Sequence, residues 1–133
     1  MDIVEEGGQK VEKRSLQNIL TYKEGHEVAV RLASSLLKNK LTHEEKEAKL
    51  NLIGIYSRNR QEFYLSDLAC ILYGVTSVPL YDTLGVDNLE YCLQHSNIET
   101  CICSLSNAKT LLALTNVSNL KNLILCDEVD KYT

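Results

Sequence analysis

No Gly-x-Gly occurs anywhere in the chain, and the only glycine after Gly74 is Gly85. A loop that closes backbone N–H groups around phosphate depends on closely spaced glycines, so no such cradle is expected here. Long apolar runs are missing too. The best stretch, Leu68 to Tyr81, is interrupted by Gly74, Thr76, Ser77 and Pro79, which excludes a membrane-spanning helix. The first ten residues, MDIVEEGGQK, are acidic and carry no apolar run, unlike a secretory leader. Positive charge is also in deficit: 14 Lys and Arg stand against 18 Asp and Glu, for a formal net charge of −4. That balance supplies no general pull toward nucleic acid or anionic lipid.

What remains is the composition of a globular domain. Of the 133 residues, 44% are hydrophobic and 24% charged, enough for one modest core and too apolar for wholesale disorder. The five cysteines, Cys70, Cys92, Cys101, Cys103 and Cys126, all lie in apolar patterns. Without a leader they read as reduced thiols filling a core, in a cytoplasmic setting. A single partial domain over 1–133 is expected, with residues 1–15 a frayed tail and Gly7-Gly8 a breaker.

The stretch from Leu50 to Gly85 organises the rest. Leu52 to Tyr56 is a short apolar run that stops at Ser57-Arg58-Asn59-Arg60, the pattern of a strand buried on both faces. Asn59 with Glu62 three residues on predicts a capped helix start. Phe63 to Tyr73 is apolar on more than one face and predicts a helix packed on most sides, ended by Gly74. Val75 to Tyr81 reads as the next strand, parallel to the first.

Two segments of this stretch, IGIYSRNRQEFYLSDLAC (Ile53–Cys70) and VPLYDTLG (Val78–Gly85), resemble the early N-terminal domain of long-chain acyl-CoA synthetases. These are members of the adenylate-forming superfamily. A looser likeness runs from Thr21 to about Glu128. The resemblance is to scaffold, because the reacting groups of that family lie elsewhere.

The flanking sequence fits an alternating plan. Thr21 with Glu24 is a capping box, opening a helix to about Lys38 whose stripe is Val28, Ala29, Leu32, Ala33, Leu36 and Leu37. Thr42 to Glu45 repeats the capping pattern and predicts one or two exposed helical turns, in a charged segment that departs from the resembled family. Val86 to His95 reads as a short helix, Glu99 to Ser104 as a strand, Ser106 to Leu114 as a helix, and Leu120 to Cys126 as a fourth strand. The expected fold is α/β: three layers, with a mostly parallel sheet of about four strands between helices. By resemblance it is an incomplete N-terminal subdomain of the adenylate-forming fold.

The resemblance implies ATP-dependent activation of a fatty acid to its coenzyme A thioester, with ATP, magnesium and coenzyme A as the family's cofactors. Similar proteins hold the phosphates with a Ser/Thr- and Gly-rich loop ending in Pro-Lys-Gly, followed by an acidic ribose-binding motif and a C-terminal domain with a catalytic lysine. None of these occurs in these residues. The expectation is an N-terminal fragment of a long-chain fatty acid–CoA ligase, inactive alone and using no cofactor of its own. Its partner would be the remainder of the synthetase chain, or a second copy covering an exposed sheet. No nucleic acid or transmembrane segment is expected. The location is cytoplasmic, peripheral to membranes by family analogy. The alternative is a non-catalytic module that keeps the scaffold for binding or oligomerisation.

No residue is expected to be catalytic, cofactor-binding or metal-binding. In an open parallel sheet, ligands sit beyond the carboxyl ends of the strands. That rule selects Ser57, Arg58, Asn59, Tyr81, Asp82 and Thr83 as rim candidates, with Ser104 to Asn107 and Asp127 alongside. Ser, Asn and Asp also supply caps and turns for structural reasons alone, which is the simpler reading. Cys92, His95, Cys101 and Cys103 have zinc-type ligand atoms, but the spacing lacks a paired C-x2-C. Cys92 and His95 share a helical face, yet Glu90 and Tyr91 beside them give no electropositive setting for a thiolate.

Overall fold

The computed structural model describes residues 2–6, 9–13, 19–47 and 49–129. Its elements in chain order are β1 (Asp2–Glu6), β2 (Gln9–Lys13), α1 (Tyr22–Lys38), β3 (His43–Glu45), β4 (Leu50–Tyr56) and α2 (Gln61–Tyr73). Then come β5 (Thr76–Leu80), α3 (Val86–Ser96), β6 (Thr100–Cys103), α4 (Leu105–Ala113) and β7 (Asn122–Leu125).

Strand β4 is the centre. It pairs in parallel with β5 on one edge, Leu52 to Tyr56 against Thr76 to Leu80. On the other edge its second half, Gly54 to Tyr56, pairs in parallel with β6, and β6 in turn with β7. The first half of that edge carries β3, antiparallel, with His43 opposite Leu52. The parallel order is therefore β5-β4-β6-β7, and the chain reverses its direction of travel across the sheet between β4 and β6.

Two apolar layers form because both faces of β4 are apolar. Leu52 and Tyr56 pack with Leu89 and Leu93 of α3 and Ala108 and Leu111 of α4. Ile53 faces the other way, with Leu36 of α1, Cys70 of α2, Val75 and Ile102. Ala29 and Ala33 of α1 meet Ala69 of α2, small side chains that bring the two helices close. A three-layer α/β arrangement results, with α1 and α2 on one face and α3 and α4 on the other. Burying a side chain such as Ile53 contributes about 1.5–3 kcal/mol.

Local chemistry sets the helix ends. Thr21 caps α1 by a full capping box: its hydroxyl accepts from the Glu24 N–H at 3.2 Å, and the Glu24 carboxylate accepts from the Thr21 N–H at 2.8 Å. Gly74 ends α2 in the left-handed region at φ +67°, which a side chain would strain. Ser104 caps α4, its hydroxyl accepting from the Asn107 N–H at 3.3 Å.

Four expectations need correction. The N-cap of α2 is Arg60, not Asn59, and no side chain bonds the free N–H groups there. Arg60 is held instead by its own ion pairs, described below. Helix α2 is not covered on most sides: Tyr64 is 61% and Ile71 69% exposed. Segment 43–45 is a strand rather than helical turns, because its backbone finds partners on the open half of β4. Within the tail expected at 1–15, Asp2–Glu6 and Gln9–Lys13 pair as antiparallel strands with Val4 opposite Val11, while residues 1, 7–8 and 14–15 lie outside the described residues. Gly-Gly between two short runs is a hairpin signal as well as a breaker.

Candidate functional site

The carboxyl ends of β4 and β6 meet at the point where the strand order reverses, which is where open parallel sheets take ligands. A cleft of about 560 Å³ lies there, lined by Tyr56, Arg58, Arg60 and Asp82, by Ser104, Ser106, Asn107 and Thr110 of the α4 end, and by Asp127.

Its walls are tied together by charge. Arg60 donates from Nε to Glu62 at 2.6 Å and from Nη1 to Asp127 at 2.7 Å. The other Asp127 oxygen accepts the Leu105 N–H at 2.7 Å, at the first turn of α4. Asp127 thus sits where a helix N-terminus favours an anion. The Leu105 N–H and Arg60 hold its carboxyl below the usual range, and Arg60 does the same for Glu62. The Arg60 guanidinium is in turn more firmly protonated. On the opposite wall Arg58 donates from Nε to Asp82 Oδ2 at 2.8 Å. Asn107 reaches under the cleft to donate to the Tyr56 carbonyl at 3.1 Å.

The structure gathers Arg58 and Asp82 into the cleft, with Ser104, Asn107 and Asp127. Ser57 is buried and donates to the Arg58 carbonyl at 3.1 Å, while Asn59, Tyr81 and Thr83 are exposed outside the cleft lining. Three lining residues, Tyr56, Arg60 and Thr110, are not among the sequence candidates. Tyr56 closes an apolar strand, so its hydroxyl is masked by the pattern of its neighbours. Arg60 was one of four polar residues in a row with nothing local to distinguish it.

Both rim arginines are neutralised within the chain, and the α4 N-terminus is filled by Asp127. These residues do not fit the phosphates of ATP. Among the described residues no three His, Cys, Asp or Glu side chains are grouped to hold a metal ion. Cys101 and Cys103 are buried in β6, and the Cys101 thiol is pushed up first by its hydrogen bond with Cys103 and then by burial. Cys92 and His95 lie on α3, where His95 stacks on Tyr91 at 5.6 Å. Burial raises Cys70 and Cys126 to about 11, far from a nucleophile's range.

The model of the AMP-binding enzyme family matches residues 5–132. The chain belongs to that family. Among curated relatives, it is 35% identical over 116 residues to long-chain-fatty-acid–CoA ligase 5 of Rattus norvegicus, covering 84% of this chain. It is 30% identical over 112 residues to long chain acyl-CoA synthetase 2 of Arabidopsis thaliana, covering 83%. The chain spans only 16% of the length of each. In structure it superposes on a red-emitting luciferase from Phrixothrix hirtus with a TM-score of 0.71 at 23% identity, over 85% of this chain and 26% of the luciferase. A putative long-chain-fatty-acid CoA ligase from Rhodopseudomonas palustris gives 0.65 at 20% identity, over 92% and 28%. These neighbours share the α/β fold of this chain. No helix of the described residues is long and apolar enough to cross a membrane.

Proposed function

We propose that this chain is the sheet-building part of a long-chain fatty acid–CoA ligase and is not catalytic by itself. In that reading the complete enzyme activates a fatty acid with ATP and magnesium and passes it to coenzyme A in the cytoplasm. This chain supplies scaffold, and the groups that grip the triphosphate come from the rest of the synthetase. One observation carries it: 84% of the chain aligns with a fatty-acid–CoA ligase at 35% identity, yet corresponds to 16% of its length. The missing Gly-x-Gly and the neutralised rim arginines support the same reading. Fatty-acid-dependent exchange of pyrophosphate into ATP tests it. The purified chain is expected to give a blank, and turnover above background would overturn the proposal.

A second reading, a non-catalytic module that binds a partner or a second copy, is favoured by uncovered apolar surface. Ile71 on α2 and Leu112 on α4 are 69% and 75% exposed, and every residue of the edge strand β7 is half-buried. Open strand edges and apolar faces favour association. Light scattering separates the readings: a discrete soluble oligomer supports the module, and indefinite aggregation supports the scaffold.

A further inference from the structure

Strand β7 ends the sheet on one side: β6 is its one partner among the described residues. The other outer strands are guarded. β5 carries Pro79, which has no N–H to offer, and β3 is three residues long and includes Glu44 and Glu45. β7 reads Asn-Leu-Ile-Leu, with neither charge nor proline. Leu123 and Leu125 lie on its α3–α4 face, and Ile124 on the other. Beside the edge on the α4 side runs a groove of about 230 Å³ whose apolar lining includes Leu112, Leu114, Val117 and Leu123.

The backbone limits how a second strand can join. Asn122 and Cys126 donate their N–H groups inward, to the carbonyls of Glu99 and Cys103. Alternation along the strand leaves the N–H and C=O groups of Leu123 and Leu125 pointing outward. When two copies pair antiparallel about a two-fold axis, only one register lets both leucines of both strands bond each other. It sets Leu123 against Leu125 of the second copy, and Leu125 against Leu123. Ile124 then meets its own counterpart on the axis, and Lys121 stands opposite Asp127 at each end. Both charged side chains lie on the α4 side: Lys121 lines the groove, and Asp127 accepts the Leu105 N–H. Lys121 bonds Glu99 at 2.8 Å, yet its side chain is 61% exposed and within reach of a second carboxylate. The register that satisfies the backbone is thus also the one that matches opposite charges.

We propose that this chain forms a two-fold dimer by antiparallel pairing of β7 with β7, the partner being a second copy. Leu125 of each copy covers the groove of the other. The inference deepens the binding-module reading above and rests on it. Pairing uses up the one unguarded edge of each copy, so assembly stops at two.

Sedimentation of the full chain over a range of concentrations tests it, with amide exchange and cysteine cross-linking. A monomer–dimer equilibrium is expected. The Leu123 and Leu125 amides should gain protection as concentration rises, while those of Asn122 and Cys126, bonded inward, should stay protected throughout. Ile124→Cys should cross-link to its counterpart under mild oxidation; Leu123→Cys and the unaltered chain should not. Lys121→Glu opposes like charges at both ends and should weaken the dimer about tenfold. A monomer at every concentration, or indefinite aggregation, would overturn both the proposal and the module reading. A dimer that Ile124→Cys fails to cross-link, whose leucine amides stay unprotected, or whose affinity is unchanged in Lys121→Glu would overturn the proposal alone, leaving the module reading with a different surface.

Discussion

Arg60 and Asp127, separated by 67 residues, meet at 2.7 Å and join the start of α2 to the segment after β7. The same carboxylate accepts from the first turn of α4, so three elements at one end of the sheet share a single anchor. Both side chains are about one-third exposed, which screens the pair and limits its worth. A double-mutant cycle on Arg60→Ala and Asp127→Ala, read by urea unfolding, should give a coupling on the order of 1 kcal/mol. Strict additivity would mean that the contact adds nothing to stability.

Acid should loosen this end first. Asp127 and Glu62 both titrate below their ordinary values when folded, Asp127 chiefly through the Leu105 N–H and then Arg60, Glu62 chiefly through Arg60. A carboxyl with a depressed folded-state pKa adds stability that is complete above its unfolded value, near 4, and fades as pH falls through the folded one. Wild-type stability should therefore drop more steeply below about pH 4 than that of Arg60→Met, which lacks the main cause of the Glu62 shift. Identical pH slopes in the two proteins would remove these carboxylates from the account.

The capping box of α1 should behave as a local device. Thr21→Ala removes the hydroxyl that accepts the Glu24 N–H, and a lost N-cap costs about 1 kcal/mol. The change should speed amide exchange in the first turn of α1 and leave α3 and α4 unaffected. Uniform acceleration across the chain would show that α1 cannot open separately.

Why that cap was legible while others were not follows from distance along the chain. Thr21 and Glu24 are three residues apart, and Gly74 needs only its own φ of +67° to end α2, so four residues or fewer carry the signal. Asn59 and Glu62 show the same spacing, but Glu62 is captured by Arg60 and the cap moves one residue on. Thr42 to Glu45 also has capping letters, yet the unpaired half of β4 outweighs local preference and draws His43–Glu45 into a strand. The rim rule located Arg58 and Asp82 because it depends only on strand ends. It missed Tyr56 because an aromatic residue closing an apolar run reads as core. It could not join Arg60 to Asp127, since nothing local links positions so far apart.

The tightest demand on the sequence is at Gly54, mid-way along β4. A Cβ there would lie 2.6 Å from Ile98 Cδ1 and 3.2 Å from Cys101 Sγ, both fully buried on the α3–α4 side of the sheet. Gly54→Ala should therefore destabilise the chain by about 1–3 kcal/mol, as overpacking in a dense core does. The nearer clash is with the end of a side chain rather than backbone, which allows a rescue. Ile98→Val removes Cδ1 and alone should cost about 0.5–1.5 kcal/mol. In the double variant the added methyl fills the vacated space, so its stability should exceed the sum of the single changes by roughly 1 kcal/mol. Additive losses in urea unfolding would show that Cys101, not Ile98, sets the limit, through its Sγ at 3.2 Å on the neighbouring strand β6.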